Sequence, residues 1–395
     1  MRSAYIFNPD NDLALANGAD NYTAPKMARK IRDDLQLIPL WFADTGSTII
    51  ADCDTVNEAF VADTVKMFPQ LGAVDLSHRD ADCAMPWGWS RAIRSELKRL
   101  NVANLPDKLQ LDAFRQLSHR RTSVDILSEI DYRGIMPSEC FSLSDVQRYV
   151  SLHGETVVKA PWSCSGRGVF LINQTDIDRS GDLIAGIISK QGSVMCEKFL
   201  NKQSDFALEF RSEETGISFQ GYSIFSNGNR FSYEKAIVAD SFTLKKILLK
   251  EIDEQVLDNL CVRLQTALAR FVPAWYRGYL GIDMMTFTDN GSLQVMPCVE
   301  LNLRTTMGLL SSKLGDRILA PGRIGEMTIT CRQTYDAVIS YVKSLAPAQV
   351  ENGKLVGGSL LLVPPKPGSI YTAVLTVVTN FSERYTTFVS AAPSH

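Results

Sequence analysis

The sequence Val-Glu-Leu-Asn-Leu-Arg occupies residues 299–304 of this 395-residue chain. Polar and apolar residues alternate in it, which is the pattern of a strand with one buried face. Glu300, Asn302 and Arg304 therefore lie on one face of the predicted strand, and apolar side chains lie on the other. The stretch predicts a strand that carries a carboxylate, an amide and a guanidinium in one polar row.

Upstream of this row, residues 278–287 form a second strand-like stretch, and the turn-forming residues 289–291 join the two. A hairpin of this kind brings Asp283 opposite the polar row. The surrounding positions are apolar, which favours a lined cleft over the alternative, a polar sheet face exposed to water. These apolar neighbours are Met284, Met285, Val295, Met296 and Cys298.

Asp283, Glu300 and Asn302 are candidate metal ligands. Two carboxylates and an amide supply the hard oxygen atoms that Mg²⁺ bound to nucleotide phosphates prefers. Mn²⁺ accepts the same kind of ligand. Arg304, at the end of the row, is suited to holding a phosphoryl group or a carboxylate with two hydrogen bonds, so we predict a catalytic role for it.

A lysine and a loop of small residues mark a candidate phosphate site. Residues 157–160 read as a strand that carries Lys159, a small-residue loop follows, and a second strand begins at Val169. Glycine and serine let backbone N–H groups approach phosphate oxygens, and the lysine adds a positive charge. A glycine-containing hairpin explains the loop nearly as well. The candidate loop residues are Ser163, Ser165, Gly166, Arg167 and Gly168.

Glu197, Lys198, Phe199 and Leu200 lie where another predicted strand ends. Such a strand end can offer backbone N–H and C=O groups to the edge of an adenine. Taken alone, the Glu-Lys pair is better interpreted as an ordinary surface pair.

The N-terminal region reads as a strand ending near Phe7, a helix at 24–35 and a second strand at 37–42. This order predicts a parallel α/β unit, in which ligands collect at the carboxyl ends of the strands. The polar residues there are candidate substrate ligands, although they could equally close a turn and cap a helix. They are Asn8, Asp10, Asn11 and Asp12.

In this order, the motifs resemble those of the ATP-grasp superfamily, which includes biotin carboxylase and D-alanine–D-alanine ligase. The resemblance covers roughly residues 106–305. It implies that Lys159 and its loop cover the ATP phosphates and that the segment 197–200 contacts adenine. It also implies that Asp283 on one strand and the Glu-x-Asn pair on the next bind Mg²⁺.

Two positions depart from the family pattern. Where relatives usually carry another phosphate-binding lysine, this chain has Arg120 and Arg121, and we expect an arginine to make that contact. The first metal ligand is Asp283 where many relatives carry glutamate, which shortens its reach.

The resemblance implies an α/β plus α+β chain with the ATP-grasp fold. Residues 1–105 correspond to an N-terminal parallel α/β domain that precedes the ATP-grasp part, 106–190 to its small lobe and 191–345 to its large lobe with the metal site. Residues 346–395 form a strand-rich segment with no assigned role.

The function implied is an ATP- and Mg²⁺-dependent ligase that releases ADP. It would activate a small-molecule or peptide carboxylate as an acyl phosphate for attack by an amine or thiol, with Lys159 and Arg304 as catalytic groups. Kinase-like phosphoryl transfer and a non-catalytic nucleotide-binding regulator are the alternatives. The sequence identifies no particular carboxylate or amine.

The amino-acid composition disfavours several other classes of function. A formal charge of −3 gives no footprint for a nucleic-acid partner, and the sequence predicts no membrane span. Eight dispersed cysteines favour a reducing cytoplasm, and four histidines, none near a cysteine at zinc spacing, disfavour zinc sites and Ser–His hydrolysis. A homodimer is the default expectation for such an enzyme.

Overall fold

The computed structural model describes residues 2–77, 81–163, 166, 168–227 and 233–379. The N-terminal part contains a four-stranded parallel sheet in the order β3-β2-β1-β4. Its elements are β1 (Ser3–Ile6), α1 (Asn11–Asn17), α2 (Lys26–Asp34), β2 (Thr48–Ile50), α3 (Thr55–Met67), β3 (Asp75–Ser77), β4 (Cys83–Pro86) and α4 (Arg91–Arg99).

The second strand of this sheet is not where the sequence pattern suggested. Residues Ile38–Trp41 form a buried 3₁₀ helix, and the strand paired with β1 is β2. Pro39 provides the reason, because it lacks the N–H that a strand donates and its fixed φ suits the first turn of a helix. The predicted strand at 37–42 was therefore wrong, whereas the parallel α/β arrangement was right.

A smaller antiparallel sheet follows, in the order β5-β8-β6-β7. Its core contains Val158, Cys196 and Ile184, which are fully buried between the sheet and its helices. The elements of this region are α5 (Lys108–Leu117), α6 (Thr122–Glu129), β5 (Ser138–Cys140), α7 (Leu143–His153), β6 (Thr156–Lys159), β7 (Val169–Ile172), α8 (Ile177–Gln191) and β8 (Val194–Lys198).

The largest sheet has eight strands in the order β13-β12-β9-β10-β11-β14-β18-β17, all antiparallel. Apolar side chains of β9 and β10 share one buried core with those of α9 and α10. Its elements are β9 (Asn201–Glu213), β10 (Gly216–Asn227), β11 (Tyr233–Val238), α9 (Ser241–Leu248), α10 (Glu254–Phe271), β12 (Gly278–Asp289), β13 (Ser292–Asn302), α11 (Met307–Arg317), β14 (Ile324–Cys331), α12 (Tyr335–Ser344), β17 (Ser359–Leu361) and β18 (Tyr371–Val378). A separate hairpin consists of β15 (Gln349–Glu351) and β16 (Lys354–Gly357).

The hairpin between β12 and β13 closes as its sequence predicts. Asn290 and Gly291 both have positive φ, at 48° and 78°, as a two-residue turn between antiparallel strands requires. The pairing register shifts between Asp283 and Met285. Pro297 lies on the opposite strand there and cannot donate to the ladder, which accounts for the irregularity.

The C-terminal segment completes the large sheet and joins it to the N-terminal part. Strand β18 pairs along its whole length with β14, from Ile324↔Val378 to Cys331↔Tyr371. The indole N–H of Trp41 donates to the carbonyl of Leu362 at 2.7 Å. Among the described residues, no helix is long and apolar enough to cross a membrane.

Asp34 anchors the start of β18, and its removal should destabilise the fold. Its buried Oδ2 accepts from the backbone N–H groups of Ile370 at 2.9 Å and Tyr371 at 3.0 Å. Asp34→Ala leaves both N–H groups without their acceptor, so the free energy of unfolding measured in urea should fall by about 3 kcal/mol. The neighbouring exposed residue provides the control, since Asp33→Ala should change stability by less than about 0.5 kcal/mol. Equal stability of the two variants would contradict this anchoring role.

Candidate active site

The polar row predicted from the sequence lies on the large sheet. Asp283 pairs with Glu300 and Gly281 pairs with Asn302 across the β12–β13 hairpin. The side-chain amide of Asn302 donates to Oδ2 of Asp283 at 3.0 Å. Leu301, on the opposite face of β13, belongs to the buried core, so the polar row lies on a strand whose other face is packed. The hairpin brings the two carboxylates and the amide together.

The surroundings of Asp283 disfavour its ionised form. Burial, followed by the neighbouring charge of Glu300, raises the pKa of Asp283 from 3.8 to about 7, while Arg304 and the hydrogen bond from Asn302 lower it. A cation bound between the carboxylates would relieve this repulsion.

The donor set fits one hard divalent cation bound together with a ligand that supplies further oxygens. Asp283, Glu300 and the carbonyl oxygen of Asn302 would hold it. In the described part of the chain, three or more His, Cys, Asp or Glu side chains do not converge in any metal-like cluster. A cation here would therefore depend on phosphate oxygens as well as on the protein, as Mg²⁺ usually does at nucleotide sites.

Arg304 lies where the N-terminal sheet meets the polar row. Its guanidinium donates to both oxygens of Asp12, with Nε–O distances of 3.2 Å. A single bridge pairs Gly88 with Arg304, and the N–H of Thr305 donates to the carbonyl of Trp87 at 2.7 Å. Although burial lowers the pKa of Arg304, the charge of Asp12 raises it overall. Arg304 is thus a fixed cation beside the row.

Lys159 and Glu197 face each other on neighbouring strands of the small sheet. Their side chains form an ion pair of 2.6 Å, and they are 11% and 13% exposed. The pairing of Val157 with Glu197 and of Lys159 with Met195 puts both side chains on one face. The structure therefore brings together the lysine predicted to bind phosphate and the first residue of the segment predicted to contact adenine.

Arg120 connects the small lobe to the polar row. One of its terminal nitrogens donates to the carbonyl of Ala160 and to Oγ of Ser163, both at 2.6 Å, and the other donates to Glu300 at 3.0 Å. Its Nε is buried and has no hydrogen-bond partner. Burial lowers the pKa of Arg120, but Glu300 raises it overall.

Arg121 takes a different direction from its neighbour. Its guanidinium lies near Gln116 and, at 3.9 Å, Glu139, and its side chain is 43% exposed. Only one of the two candidate arginines is therefore brought to Glu300.

The loop after Lys159 turns tightly. Gly166 and Gly168 have φ values of 72° and 69°, and the carbonyl of Gly168 accepts from Ala160 at 2.7 Å. A Cβ on Gly168 would come within 3.0 Å of the Ala160 side chain, so glycine is required there. Ser165 and Arg167, also predicted for this loop, lie outside the described residues.

The rest of the predicted adenine segment continues from β8 into β9. The N–H of Phe199 donates to the carbonyl of Glu155 at 2.8 Å. Lys198, Phe199 and Leu200 are partly exposed, and Leu200 packs at the margin of the main core. These residues form a connector next to Glu197.

The N-terminal polar loop divides between two places. Asn8 is buried and its amide donates to the carbonyl of Gly88 at 2.8 Å, whereas Asp12 pairs with Arg304. Asp10, together with Asn8, lines a separate cavity beside α4. Asn11 is the first residue of α1 and packs closely on Gly88. A Cβ atom added to Gly88 would come within 2.4 Å of the Asn11 side chain.

Glu209 is a residue of this region that the sequence patterns did not single out. It is 1% exposed, and one carboxyl oxygen accepts from Thr306 at 2.8 Å and from Ser223 at 3.3 Å. The other oxygen has no hydrogen-bond partner and lies over Gly281, next to the polar row. Burial raises the pKa of Glu209 to about 8. The available signal was a charged residue inside the apolar stretch 206–210.

No protein-family model matches the sequence, and no curated protein does. Solved structures match it over nearly the whole chain at low sequence identity. N5-carboxyaminoimidazole synthetase from Staphylococcus aureus with ADP is 12% identical, with a TM-score of 0.54, over 99% of this chain and 96% of that one.

Two biotin carboxylases match in the same way. The Campylobacter jejuni enzyme, solved as a β,γ-ATP complex, is 12% identical with a TM-score of 0.52, over 95% of this chain and 87% of that one. The biotin carboxylase domain of 2-oxoglutarate carboxylase from Hydrogenobacter thermophilus, a dimer with MgADP, ADP and bicarbonate, is 11% identical with a TM-score of 0.54, over 98% and 89%. The ATP-grasp fold predicted from the motifs is confirmed.

The raised pKa of Asp283 predicts how its neutral variant behaves with pH. Between about pH 4 and pH 7 the unfolded chain gives up this proton and the folded chain keeps it, so stability falls as pH rises. Asp283→Asn removes that cost and should unfold, in EDTA, with a free energy about 2 kcal/mol above that of the parent at pH 8. At pH 5 the gain should be much smaller.

The control is Asp289→Asn, which alters an exposed residue of the same strand and should show no such pH dependence. If the Asp283→Asn variant has a lower free energy of unfolding than the parent at pH 8, the ionised carboxylate does not destabilise the fold.

Proposed function

We propose that this chain is an ATP- and Mg²⁺-dependent ligase that activates a carboxylate as an acyl phosphate and releases ADP. The observation that carries the proposal is Arg120, which bonds to the phosphate-loop residue Ser163 and to the row residue Glu300 at once. This bridge supports placing the lysine loop and the acidic row on the two sides of one nucleotide cleft. A nucleotide in that cleft would have its phosphates between them.

In this proposal Lys159, Ser163 and the glycines of the loop bind the phosphates of ATP, with Arg120 as the upstream cation. Residues 197–200 contact the adenine. The Lys159–Glu197 ion pair has to open or rearrange when the lysine turns to phosphate. Asp283, Glu300 and Asn302 would hold Mg²⁺, which neutralises phosphate charge when bound.

Arg304 and the N-terminal loop would position the acceptor. Arg304 is a fixed cation beside the row and suits a carboxylate or a phosphoryl oxygen. Transfer then needs no side-chain nucleophile: the carboxylate oxygen attacks the terminal phosphorus, ADP leaves, and an amine or thiol later displaces phosphate. Catalysis is by positioning and charge neutralisation.

The structural neighbours support the nucleotide part of this proposal. Those described above were solved with ADP, MgADP or a β,γ-ATP ligand. Mn²⁺ is a plausible substitute because it also prefers oxygen ligands. The Hydrogenobacter domain is a dimer, in keeping with our default expectation of a homodimer.

The division of the chain into parts ending at 105, 190 and 345 remains our working assignment. We also assign the protein to the cytoplasm. Six of the cysteines in the described part of the chain are free, in keeping with a reducing compartment: Cys83, Cys140, Cys196, Cys261, Cys298 and Cys331.

Lys159→Met should weaken ATP binding because it removes a cation that, in this proposal, contacts the ATP phosphates. Loss of one charge-assisted hydrogen bond corresponds to a rise in Kd of about 10- to 100-fold. Isothermal titration with ATP and Mg²⁺ measures this. Lys190→Met, an exposed lysine at the end of α8 in the same lobe, is the matched control and should bind as the parent does. Equal affinity of the Lys159 variant would refute its assignment.

The reaction itself can be tested by trapping. With ATP, Mg²⁺ and the correct carboxylate, hydroxylamine should intercept the acyl phosphate as a hydroxamate, with one ADP released for each hydroxamate formed. A kinase acting on an alcohol would give a stable phosphorylated product and no hydroxamate. A non-catalytic regulator would leave ATP unchanged with every carboxylate, and release of AMP and pyrophosphate would reject the mechanism.

A further inference from the structure

A cavity of about 540 Å³ lies in the N-terminal part, bordered by the loop after β1 and by helices α2 and α4. This volume is within the usual range for small-molecule sites, about 300–1,000 Å³. Its wall includes Asn8 and Asp10 from the loop, Arg29 and Arg32 from α2, and Glu96 and Arg99 from α4.

Some of the charges in this wall neutralise each other. Arg32 donates to both oxygens of Glu96, at 3.0 and 2.5 Å, as a bidentate pair that joins the two helices. Asp20, also in the wall, is paired with Lys108 at 3.3 Å. These pairs satisfy the protein's own charges and need no ligand.

Three charged groups of the wall remain. Arg29 and Arg99 form no ion pair or side-chain hydrogen bond with any described residue, and both are exposed. Asp10 is only 9% exposed and has no ion-pair partner within 4.0 Å in the described chain. Burial raises the pKa of Asp10, and Arg32, already committed to Glu96, lowers it only from a distance. The cavity thus combines two available cations with one buried carboxyl.

The cavity is connected to the candidate active site through its lining residue Asn8. Asn8 donates to the carbonyl of Gly88, and Gly88 is bridged to Arg304. Two residues beyond Asp10, Asp12 forms the ion pair with Arg304 at 3.1 Å. A ligand held at Asp10 would therefore lie next to the first turn of α1, which holds Arg304.

We propose that this cavity binds the amine substrate of the reaction, and that this substrate also carries a carboxylate or phosphate group. The amine would lie at Asp10 and the anionic group at Arg29 and Arg99. This assignment rests on the proposed ligase function, which by itself does not specify what the amine carries. A buried carboxyl without a cation attracts an ammonium group, and unpaired guanidiniums bind carboxylate and phosphate oxygens.

Matched amines test this directly by titration calorimetry on the full chain with MgADP. β-Alanine and O-phosphoethanolamine carry an anion, propylamine and ethanolamine lack it, and propionate lacks the amine. We expect at least one of the two anionic amines to bind at least tenfold more tightly than its neutral counterpart. If β-alanine is the one that binds, its affinity should also exceed that of propionate. Which of the two binds distinguishes carboxylate from phosphate.

Variants assign that binding to the cavity. Arg29→Ala and Arg99→Ala should each weaken the better-bound anionic amine about tenfold, and Asp10→Asn should weaken it while leaving the affinity for ADP unchanged. Lys98→Ala removes the same charge from an exposed position of α4 outside the cavity wall and should have no effect. Both arginines are exposed and unpaired, so their variants should fold normally.

Neutral amines that bind as well as the anionic ones, or binding unaffected by both arginine variants, would overturn the proposal. So would the absence of saturable binding by either anionic amine. Hydroxamate trapping needs no amine substrate, so it reports on the ligase function separately. Hydroxamate without amine binding would reject this inference alone. Amine binding without hydroxamate with any carboxylate would reject the ligase function and leave the cavity as an amine-binding site with no reaction assigned to it.

Discussion

Ion pairs between distant parts of the chain hold the acidic row of the large sheet and the arginine beside it in place. Glu300 accepts from Arg120 of the small lobe, and Arg304, just after β13, is held by Asp12 in the first turn of α1. Each pair lies where burial strengthens the attraction and makes an unpaired charge costly. Three regions of the chain are therefore brought together at one row of acidic side chains.

Local pattern was sufficient to predict that row. Strand alternation and a two-residue turn are short-range properties, so the positions of Asp283, Glu300 and Asn302 follow from nearby residues alone. The same local reasoning failed at 37–42, where an apolar run was interpreted as a strand. A short buried apolar run looks alike in a strand and in a helical turn, and Pro39 was the residue that distinguished them.

Contacts between residues far apart in the chain could not be predicted from the sequence. Nothing in the Arg120-Arg121 pair says which of them turns towards Glu300, because the choice depends on how the segment packs against Ala160 and Ser163. Glu209 is a similar case. Its burial depends on the room above Gly281 and Gly308, on two separate elements that come together only in the folded chain. The cavity between α2 and α4 likewise requires the tertiary arrangement of two helices.

The N-terminal loop shows how recognition and chemistry can be coupled through a few residues. Asp10 lines the cavity at the N-terminus of α1, and Asp12 in the first turn of the same helix holds Arg304, so a shift of this helix start would act on both residues. Asn8 ties it further to Gly88, whose neighbour Trp87 accepts from Thr305. A group bound at Asp10 would restrain this loop and with it the guanidinium of Arg304. Occupancy of the cavity would then help to fix the cation beside the row, and in the proposed reaction this would link acceptor binding to phosphoryl transfer.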